Sequence, residues 1–416
     1  GNITCTPNQL PHHFADDVPV YEALSGEHQT GPNVFWTLAA LNYAQWSGNS
    51  SWLAGYLPTL RRALSFLEAD PATNLVWAPG SLMVDTFYRA GYTSDTNAAM
   101  LHLLREFASA EEAVGEAWRA AALHDQARAM QKAMNKLLWD GASNDHYVTS
   151  VSREGDVEDF VDYDSNFMAI AFGAAGARAE AILARIDSNP YAVNVPTWVS
   201  ERLYEGNSSR PRGGTGDSVC GMARFAWFNA LARKHVRTAK SRAFFMDKLL
   251  GKLSDELVAT VWMRERFGPD GRQQSDRTSH YFEYPSVVAL MIVKVLYGIS
   301  ISLSGIVIDP WDLKRFHWRM GDVDVSYRRH VGASIKVPRV GKFFYMITGM
   351  ASGPGVEFEI EVVCAGVPKE ERKLRSKTAA FTDPKGDLVF LAVLDECPSP
   401  PQGPWSADEA WGMGGG

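Results

Sequence analysis

The period of the hydrophobic pattern changes once along this chain, close to Gly298. Before that residue, apolar side chains recur every three or four positions in segments of helical length, and the segments come in pairs. The predicted helices cover residues 34–41, 52–67, 93–107, 110–138, 165–174, 177–186, 218–232, 238–257 and 287–296. After Gly298, short apolar or alternating runs are typical of strands. The pattern therefore predicts a mainly α protein in which a helical domain precedes a β domain.

The helix pairs predict a toroid. Loops rich in Gly, Trp, Asp and Tyr separate the pairs, which indicates antiparallel neighbours whose loops converge on one face. The pairs share no fixed motif, so we expect a closed ring rather than a solenoid. We assign residues 1–32 to an irregular strap, 33–298 to the helical domain, 299–396 to an antiparallel β-sandwich and 397–416 to a flexible tail. The expected sandwich core contains Ile306, Ile308, Phe316, Trp318 and Phe344.

Composition excludes several classes of protein. The longest apolar runs, such as residues 287–293, are far shorter than the roughly 20 residues that a transmembrane helix needs. A net charge of −7 with only short basic clusters argues against a nucleic-acid partner. The four cysteines lack zinc-site spacing, and we expect neither a metal nor another cofactor.

Other local patterns are weak indicators. Three N-glycosylation sequons, at Asn2, Asn49 and Asn207, suit an extracellular protein, although about two arise by chance in a chain of this length. The chain start lacks the features of a signal peptide. An acidic stretch resembles a calcium loop in charge but lacks its glycine and terminal glutamate, so a solvated acidic face is favoured. That stretch holds Asp156, Glu158, Asp159, Asp162 and Asp164.

Several segments carry a resemblance to a known family. Residues 36–67 are similar to a helix pair of bacterial α-L-rhamnosidases, and residues 261–267 (VWMRERF) resemble the segment that bears their catalytic-base glutamate. Residues 280–284 (HYFEY) resemble the entry to the last inner helix, and residues 305–310 (GIVIDP) resemble the start of the C-terminal sandwich. Over residues 33–345 the chain thus resembles the six-hairpin glycosidase superfamily of (α/α)6 barrels. The resemblance implies an inverting hydrolase that cleaves a terminal glycosidic bond in a carbohydrate or glycoside.

One departure concerns the catalytic acid. In rhamnosidases the acidic motif precedes the region that matches Trp36, and this chain does not contain it. The ring is therefore either complete or without its first elements, and the sequence leaves both open. Trehalase-related glycosidases place an acid in a loop after a small-residue turn, and residues 79–87 (PGSLMVDTF) resemble that loop. The resemblance makes Asp85 the candidate acid.

Glycosidic cleavage needs one protonated and one ionised carboxyl group across the scissile bond. Apolar neighbours such as Met83 would raise the pKa of Asp85 and keep it protonated, although a helix cap or an ion pair with Arg89 is the plain alternative. The candidate base is Glu265, because flanking arginines would keep its carboxylate ionised; the alternative is a solvated ion pair. Glu283 is the rival base, or else a helix-terminus residue.

Sugar-binding candidates are aromatic and polar residues near the helix ends, where carboxylates would bind hydroxyl groups and rings would stack on apolar sugar faces. They are Trp36, Trp77, Asp162, Tyr163, Asp164, Asp217, Trp262, His280 and Tyr281. Asp164 and Asp217 would equally serve as N-caps, and most tryptophans as core residues. The competing function is a non-hydrolytic protein on the same fold, namely a polysaccharide lyase, an isomerase or a carbohydrate-binding protein.

Overall fold

The computed structural model describes residues 6–23, 27–84, 89–159, 161–190, 197–201, 221–260, 265–268, 271–272, 283–321, 323–337, 341–350, 359–364, 377–382 and 388–397. Contacts divide the chain into two units, residues 1–44 with 49–295 and residues 45–48 with 296–416. Within the described ranges, no helix is both long and apolar enough to cross a bilayer.

The first unit is built mainly from helices. They are α1 (Gly31–Ser47, whose last residues belong to the second unit), α2 (Ser50–Ser65), α3 (Ser94–Ala113), α4 (Ala117–Leu137), α5 (Tyr163–Ala171), α6 (Ala179–Asp187), α7 (Ala226–Val236), α8 (Ala239–Phe244), α9 (Lys252–Thr260) and α10 (Glu283–Leu290). A π-helical segment, Phe245–Gly251, joins α8 to α9, and another, Met291–Leu296, continues α10. The short strands are β1 (His13–Ala15), β2 (Val18–Val20), β3 (Tyr92–Thr93), β4 (Ser150–Val151), β5 (Val157–Glu158), β6 (Gly221–Met222) and β7 (Arg266–Phe267).

Inner and outer helices alternate along the chain. Helix α3 is buried on nearly all sides, with Met100, Leu104 and Phe107 fully inaccessible, whereas α4 buries one face through Met130 and Met134. Helix α3 packs on α4 and α5, and α7 packs on α5, α6 and α10. Burial of each large apolar side chain contributes about 1.5–3 kcal/mol. The predicted helical domain is confirmed, but the described helices do not close into a complete barrel.

The described part of the second unit contains nine strands in two sheets. They are β8 (Ile299–Ile301), β9 (Gly305–Ile308), β10 (Arg315–Met320), β11 (Val323–Arg328), β12 (Gly332–Val337), β13 (Gly341–Met350), β14 (Glu359–Cys364), β15 (Lys377–Thr382) and β16 (Leu388–Cys397). One sheet has the order β10-β11-β12-β14 and the other β15-β16-β13-β9-β8. The Tyr327 hydroxyl donates to the Gly349 carbonyl oxygen at 2.5 Å and links the two sheets.

The prediction that this sandwich is antiparallel is wrong in two places. Strand β9 pairs in parallel with β13, and β12 pairs in parallel with β14. In each case the chain passes through the other sheet before it returns, and so it re-enters in the same direction. Ile306 and Ile308 are core residues as predicted, whereas Phe316, Trp318 and Phe344 are only half-buried.

The segment predicted to be an irregular strap contains a hairpin. Strands β1 and β2 pair in antiparallel register, joined by Asp16 and Asp17 with φ angles of 48° and 65°. Two consecutive positive φ angles match a type I′ turn, whose twist suits a tight hairpin. Helix α1 begins at Gly31, within the predicted strap. The predicted tail after Cys397 lies outside the described residues.

Candidate functional site

A cavity of about 720 Å³ opens on the helical unit. Its walls come from the β1-β2 hairpin, the first turns of α1, the loop before α3 and the turn before α7. Phe14, Phe35, Trp36 and Met83 supply apolar lining, and Arg224 supplies a charge. The Trp36 side chain remains 38% exposed. The size and the mixture of aromatic groups with one cation are typical of a small-molecule site.

Two glycines bring the walls of this cavity together. A Cβ atom at Gly31 would overlap the carbonyl oxygen of Leu82, so the start of α1 can approach the loop only because residue 31 has no side chain. At Gly80 a Cβ atom would lie 2.6 Å from the Cβ of Glu27 and 2.9 Å from the carbonyl oxygen of His28. The small-residue turn that begins the 79–87 loop thus has a steric cause.

Hydrogen bonds hold the same loop from both sides. Gln29 donates through Nε2 to the Ser81 hydroxyl at 3.2 Å, and that hydroxyl donates to the Val84 carbonyl oxygen. The Leu82 amide donates to Oδ2 of Asp95, at the first turn of α3, at 3.3 Å. The candidate acid Asp85 follows Val84 directly but lies outside the described residues. The separation between its carboxyl group and any other therefore stays a prediction.

Behind the loop, one arginine is surrounded by three carboxylates. The Arg89 guanidinium lies 3.3 Å from Asp95, 3.0 Å from Asp162 and 2.8 Å from Asp164. All four side chains are at least 98% buried. Burial raises the pKa of Asp164, against the opposing effect of Arg89. The cluster ties the starts of α3 and α5 to the residue that follows the Asp85 segment.

Three predicted sugar ligands therefore occupy internal positions. Asp162 and Asp164 bind Arg89, and Tyr163 is 2% exposed, with burial raising the pKa of its hydroxyl group. They support the loops and do not face solvent. The sequence offered an N-cap role for Asp164 as the alternative, whereas Asp162 is at the N-cap of α5 and makes no side-chain capping bond. Its charge is directed to the buried guanidinium instead.

Glu265 is held beside the cavity. Its Oε1 accepts a hydrogen bond from Nη2 of Arg224 at 2.6 Å, and its Oε2 lies 3.4 Å from Nη2 of Arg266. The side chain is 14% exposed. Arg224 lines the cavity, so the Glu265 carboxylate contacts a residue of the cavity wall. Of its two cationic partners, Arg266 is a flanking arginine in the sequence and Arg224 comes from a distant part of the chain.

The neighbouring backbone fixes the position of this glutamate. The next residues along the chain form β7, which pairs with β6 immediately before the turn that carries Arg224. The Tyr284 hydroxyl donates to the backbone carbonyl oxygen of Glu265. Glu283, the rival base, is the first residue of α10, and its side chain lies outside the described residues.

The other predicted residues are dispersed. Trp77 packs against Tyr92 with the two rings perpendicular and their centroids 5.1 Å apart, and the Arg153 guanidinium lies 4.5 Å from the Trp77 ring centroid. Trp77 does not line the cavity. Trp36 does line it. Asp217, Trp262, His280 and Tyr281 lie outside the described residues.

Sequence reasoning missed Arg224 and the hairpin residue Phe14, since neither belongs to a recognisable motif. It also missed a group formed by Asp140, His146 and Asp159, whose potential ligand atoms lie within 4.8 Å of one another. The His146 ring nitrogens lie 2.7 Å from Asp145 and 2.9 Å from Asp159. Asp140 accepts hydrogen bonds from the backbone amides of Ala142 and Ser143, so each member of the group has a partner within the protein.

Solved structures show which proteins share this fold. A GH78 family rhamnosidase of Bacillus sp. GL1 is 16% identical at a TM-score of 0.55, over 82% of this chain and 35% of its own. A sialidase is 13% identical at a TM-score of 0.54, over 71% of this chain and 28% of its own. A GH63 mannosylglycerate hydrolase of Thermus thermophilus has a TM-score of only 0.37.

The chain thus spans about a third of the length of the first two proteins. Comparison with protein-family profiles gives no match, and comparison with curated proteins gives none. At these identities the likeness establishes a glycoside-hydrolase-like fold. Fold alone does not fix an activity.

Proposed function

We propose that this protein is a glycoside hydrolase that cleaves a terminal glycosidic bond with inversion of configuration. The observation that carries the proposal is the Arg224–Glu265 ion pair beside an open, aromatic-lined cavity. The glycoside-hydrolase-like fold supports it. The (α/α)6 organisation of the helical unit, with six hairpins when complete, is part of the same proposal.

In this proposal Glu265 is the general base. An ionised carboxylate withdraws a proton from water as the oxygen attacks the anomeric carbon, and the bond to the leaving oxygen breaks. Arg224 and Arg266 form ion pairs with Glu265 and hold its carboxylate in place before substrate binds. Once a sugar occupies the cavity, Arg224 is also placed to bind one of its hydroxyl groups, because it lines the space.

Asp85 supplies the proton to the leaving oxygen. Support comes from its neighbours, since the preceding loop residues Leu82 and Met83 line the cavity. For an inverting reaction the two carboxyl groups should stand about 6.5–9.5 Å apart, to leave room for water. Trp36 offers a stacking surface for an apolar sugar face. Glu283 is the base to test if Glu265 proves dispensable.

The decisive experiment is hydrolysis by the purified full chain of a panel of chromogenic glycosides that includes rhamnosides and glucuronides. Release of monosaccharide that Glu265→Gln abolishes would support the proposal. NMR of the first-formed sugar then reports its anomeric configuration, and a retained configuration would overturn the inverting mechanism.

The same incubations separate the competing functions. A lyase would leave an unsaturated sugar at the new end, an isomerase would change a free sugar without cleaving a bond, and a binding protein would do neither. Any of these results in the absence of hydrolysis would contradict the hydrolase assignment.

A further inference from the structure

The sheet β10-β11-β12-β14 carries a second groove, of about 510 Å³, in the strand-rich unit. Cross-strand register places Arg315 opposite Arg328, and Ser326 between His317 and Ser334. These five residues line the groove. The alternate residues of β11 and β12 are buried, so the groove lies on the opposite face of the sheet from the core.

The two arginines are unusual neighbours. Directly opposed residues have Cβ atoms about 5 Å apart, and like charges in such a pair are destabilising. Both side chains are exposed, and no described residue places a carboxylate within ion-pair distance of either guanidinium. Folding thus keeps two cations together at one end of the groove.

Two neighbouring basic side chains, His317 and Arg329, lie beside carboxylates. Arg319 lies opposite Asp324 in the β10-β11 register, and Nε2 of His317 lies 3.0 Å from Oδ1 of Asp324. Arg329, next to Arg328, lies 3.3 Å from Asp312. The segment from residue 311 to 342 contains eight Lys and Arg against three Asp, in a chain whose net charge is −7. The excess positive charge is therefore local, and Arg315 with Arg328 is the part of it that lines the groove.

We propose that this groove binds the carboxylate of an acidic saccharide, at a site separate from the cavity beside Glu265. Guanidinium groups bind carboxylates through paired, charge-assisted hydrogen bonds, and two of them here converge on one space. The serine hydroxyls of Ser326 and Ser334 line the floor, where they donate to and accept from sugar hydroxyl groups. The volume suits one or two sugar rings.

The confined charge favours a saccharide over a nucleic acid. A phosphate backbone is bound along a stripe of cations, whereas here the next positions on the same face are His317 opposite Ser326 and then Arg319 opposite Asp324, whose carboxylate contacts His317. The inference that this protein also hydrolyses the saccharide bound in the groove rests on the proposed function. The inference that the groove binds an acidic saccharide does not rest on it.

The test measures affinity of the full chain for polygalacturonate, with uncharged polysaccharide as the comparison, by affinity electrophoresis and calorimetry. We expect the protein to bind polygalacturonate but not the uncharged polysaccharide. The affinity for polygalacturonate should fall about tenfold or more in the double variant Arg315→Gln, Arg328→Gln. The double variant Arg315→Lys, Arg328→Lys keeps both charges but loses the paired geometry, so its affinity should be intermediate.

Arg319→Gln is the matched control, because it removes one cation from the same strand and face at a position that does not line the groove. It should bind like the unchanged protein. Equal weakening by Arg319→Gln, or equally tight binding of heparin and of DNA, would show a general polyanion surface and overturn the proposal. So would unaltered binding in the folded double variant.

Activity separates this proposal from the preceding one. Hydrolysis of a small chromogenic glycoside should be unchanged in the Arg315 and Arg328 variants, since the groove is not the catalytic cavity. Polygalacturonate binding without any hydrolase activity would leave the groove assigned and contradict only the proposed function. Hydrolase activity without polygalacturonate binding would support the proposed function and contradict the assignment of the groove.

Discussion

Nη2 of Arg224 lies 2.6 Å from Oε1 of Glu265, and Arg224 is the residue of this pair that lines the cavity. The glutamate is thereby connected to the cavity through a cation rather than by direct exposure. A ligand that binds Arg224 would change the environment of the carboxylate. In the proposed mechanism this pair is what connects substrate binding to the base Glu265.

Replacement of Glu265 by Gln should lower hydrolysis by about two to four orders of magnitude, because the amide cannot accept a proton from water. The side chain keeps its size, so circular dichroism and the melting temperature should show a folded protein. Steady-state kinetics on the best chromogenic substrate provides the measurement. Near-normal turnover would exclude Glu265 as the base and make Glu283→Gln the next variant.

Glu201→Gln is the control for this substitution. Glu201 accepts a hydrogen bond from Arg185, also at 2.6 Å, but neither residue lines the cavity. The loss of an exposed ion pair costs about 0.2–1 kcal/mol, and activity should not change. A comparable loss of activity in both variants would point to destabilisation as the cause.

Trp36→Ala should raise KM by about three- to tenfold with little change in the melting temperature, because the ring lines the cavity and is 38% exposed. Trp118→Ala is the matched control, since Trp118 is 65% exposed and does not line the cavity. KM is measured for both on the same glycoside. An unchanged KM in Trp36→Ala would remove this residue from the proposed binding surface.

The helical part of the fold was predictable because its signals are local. Helix α3 was expected over residues 93–107 and occupies Ser94–Ala113, since apolar residues recur along it at helical spacing. The region expected as one helix over residues 238–257 is divided by a π-helical segment, Phe245–Gly251, which no proline or glycine at its start announces. The type I′ turn of the β1-β2 hairpin was missed because it uses Asp16 and Asp17 instead of the usual glycine.

The candidate site was predictable only in part, because its pairing is long-range. Asp164 was singled out as a polar loop residue, but its partner Arg89 lies 75 positions earlier in the chain. No spacing rule connects the two, so a buried ion cluster was interpreted as a sugar-binding loop. Arg224 was missed for the same reason, since its partner Glu265 lies 41 positions later.

Gly31→Ala should destabilise the protein by about 1–3 kcal/mol and reduce activity, because the new Cβ overlaps the Leu82 carbonyl oxygen and forces α1 away from the loop. In contrast, Gly55→Ala in α2 adds a methyl group to open space and should stabilise by about 0.5–1 kcal/mol. Urea denaturation of both variants gives the comparison. Equal stability of the two would contradict the packing described for the cavity wall.

Arg89→Met should destabilise the fold by about 3–5 kcal/mol, because it leaves three buried carboxylates without their cation. Burial raises the pKa of Asp164 already, and removal of Arg89 raises it further. A carboxyl group with a raised folded-state pKa loses stability as the pH rises from its unfolded-state pKa, about 4, towards the folded-state value, so the deficit should be larger at about pH 7 than at about pH 4. Arg62→Met, at an exposed position of α2, is the control and should have little effect at either pH. A deficit that shrinks as the pH rises would contradict the assignment of the cluster.

Lys294→Met should stabilise the protein near pH 7 and lose that advantage in alkali. Burial lowers the pKa of Lys294 to about 8, from 10.5, although Glu106 opposes the shift. Below about pH 8 the amine is charged in the folded and unfolded states alike, so the full cost of burying it is present. Between that pH and 10.5 the unfolded chain binds a proton that the folded chain has released, and stability rises with pH. We expect the variant to gain about 2 kcal/mol at neutral pH, measured by denaturant unfolding, and to gain little at pH 10. Lys248→Met, at an exposed position of a π-helical segment, should show neither effect. If Lys294→Met gains the same stability at both pH values, the buried amine is not the cause of the gain.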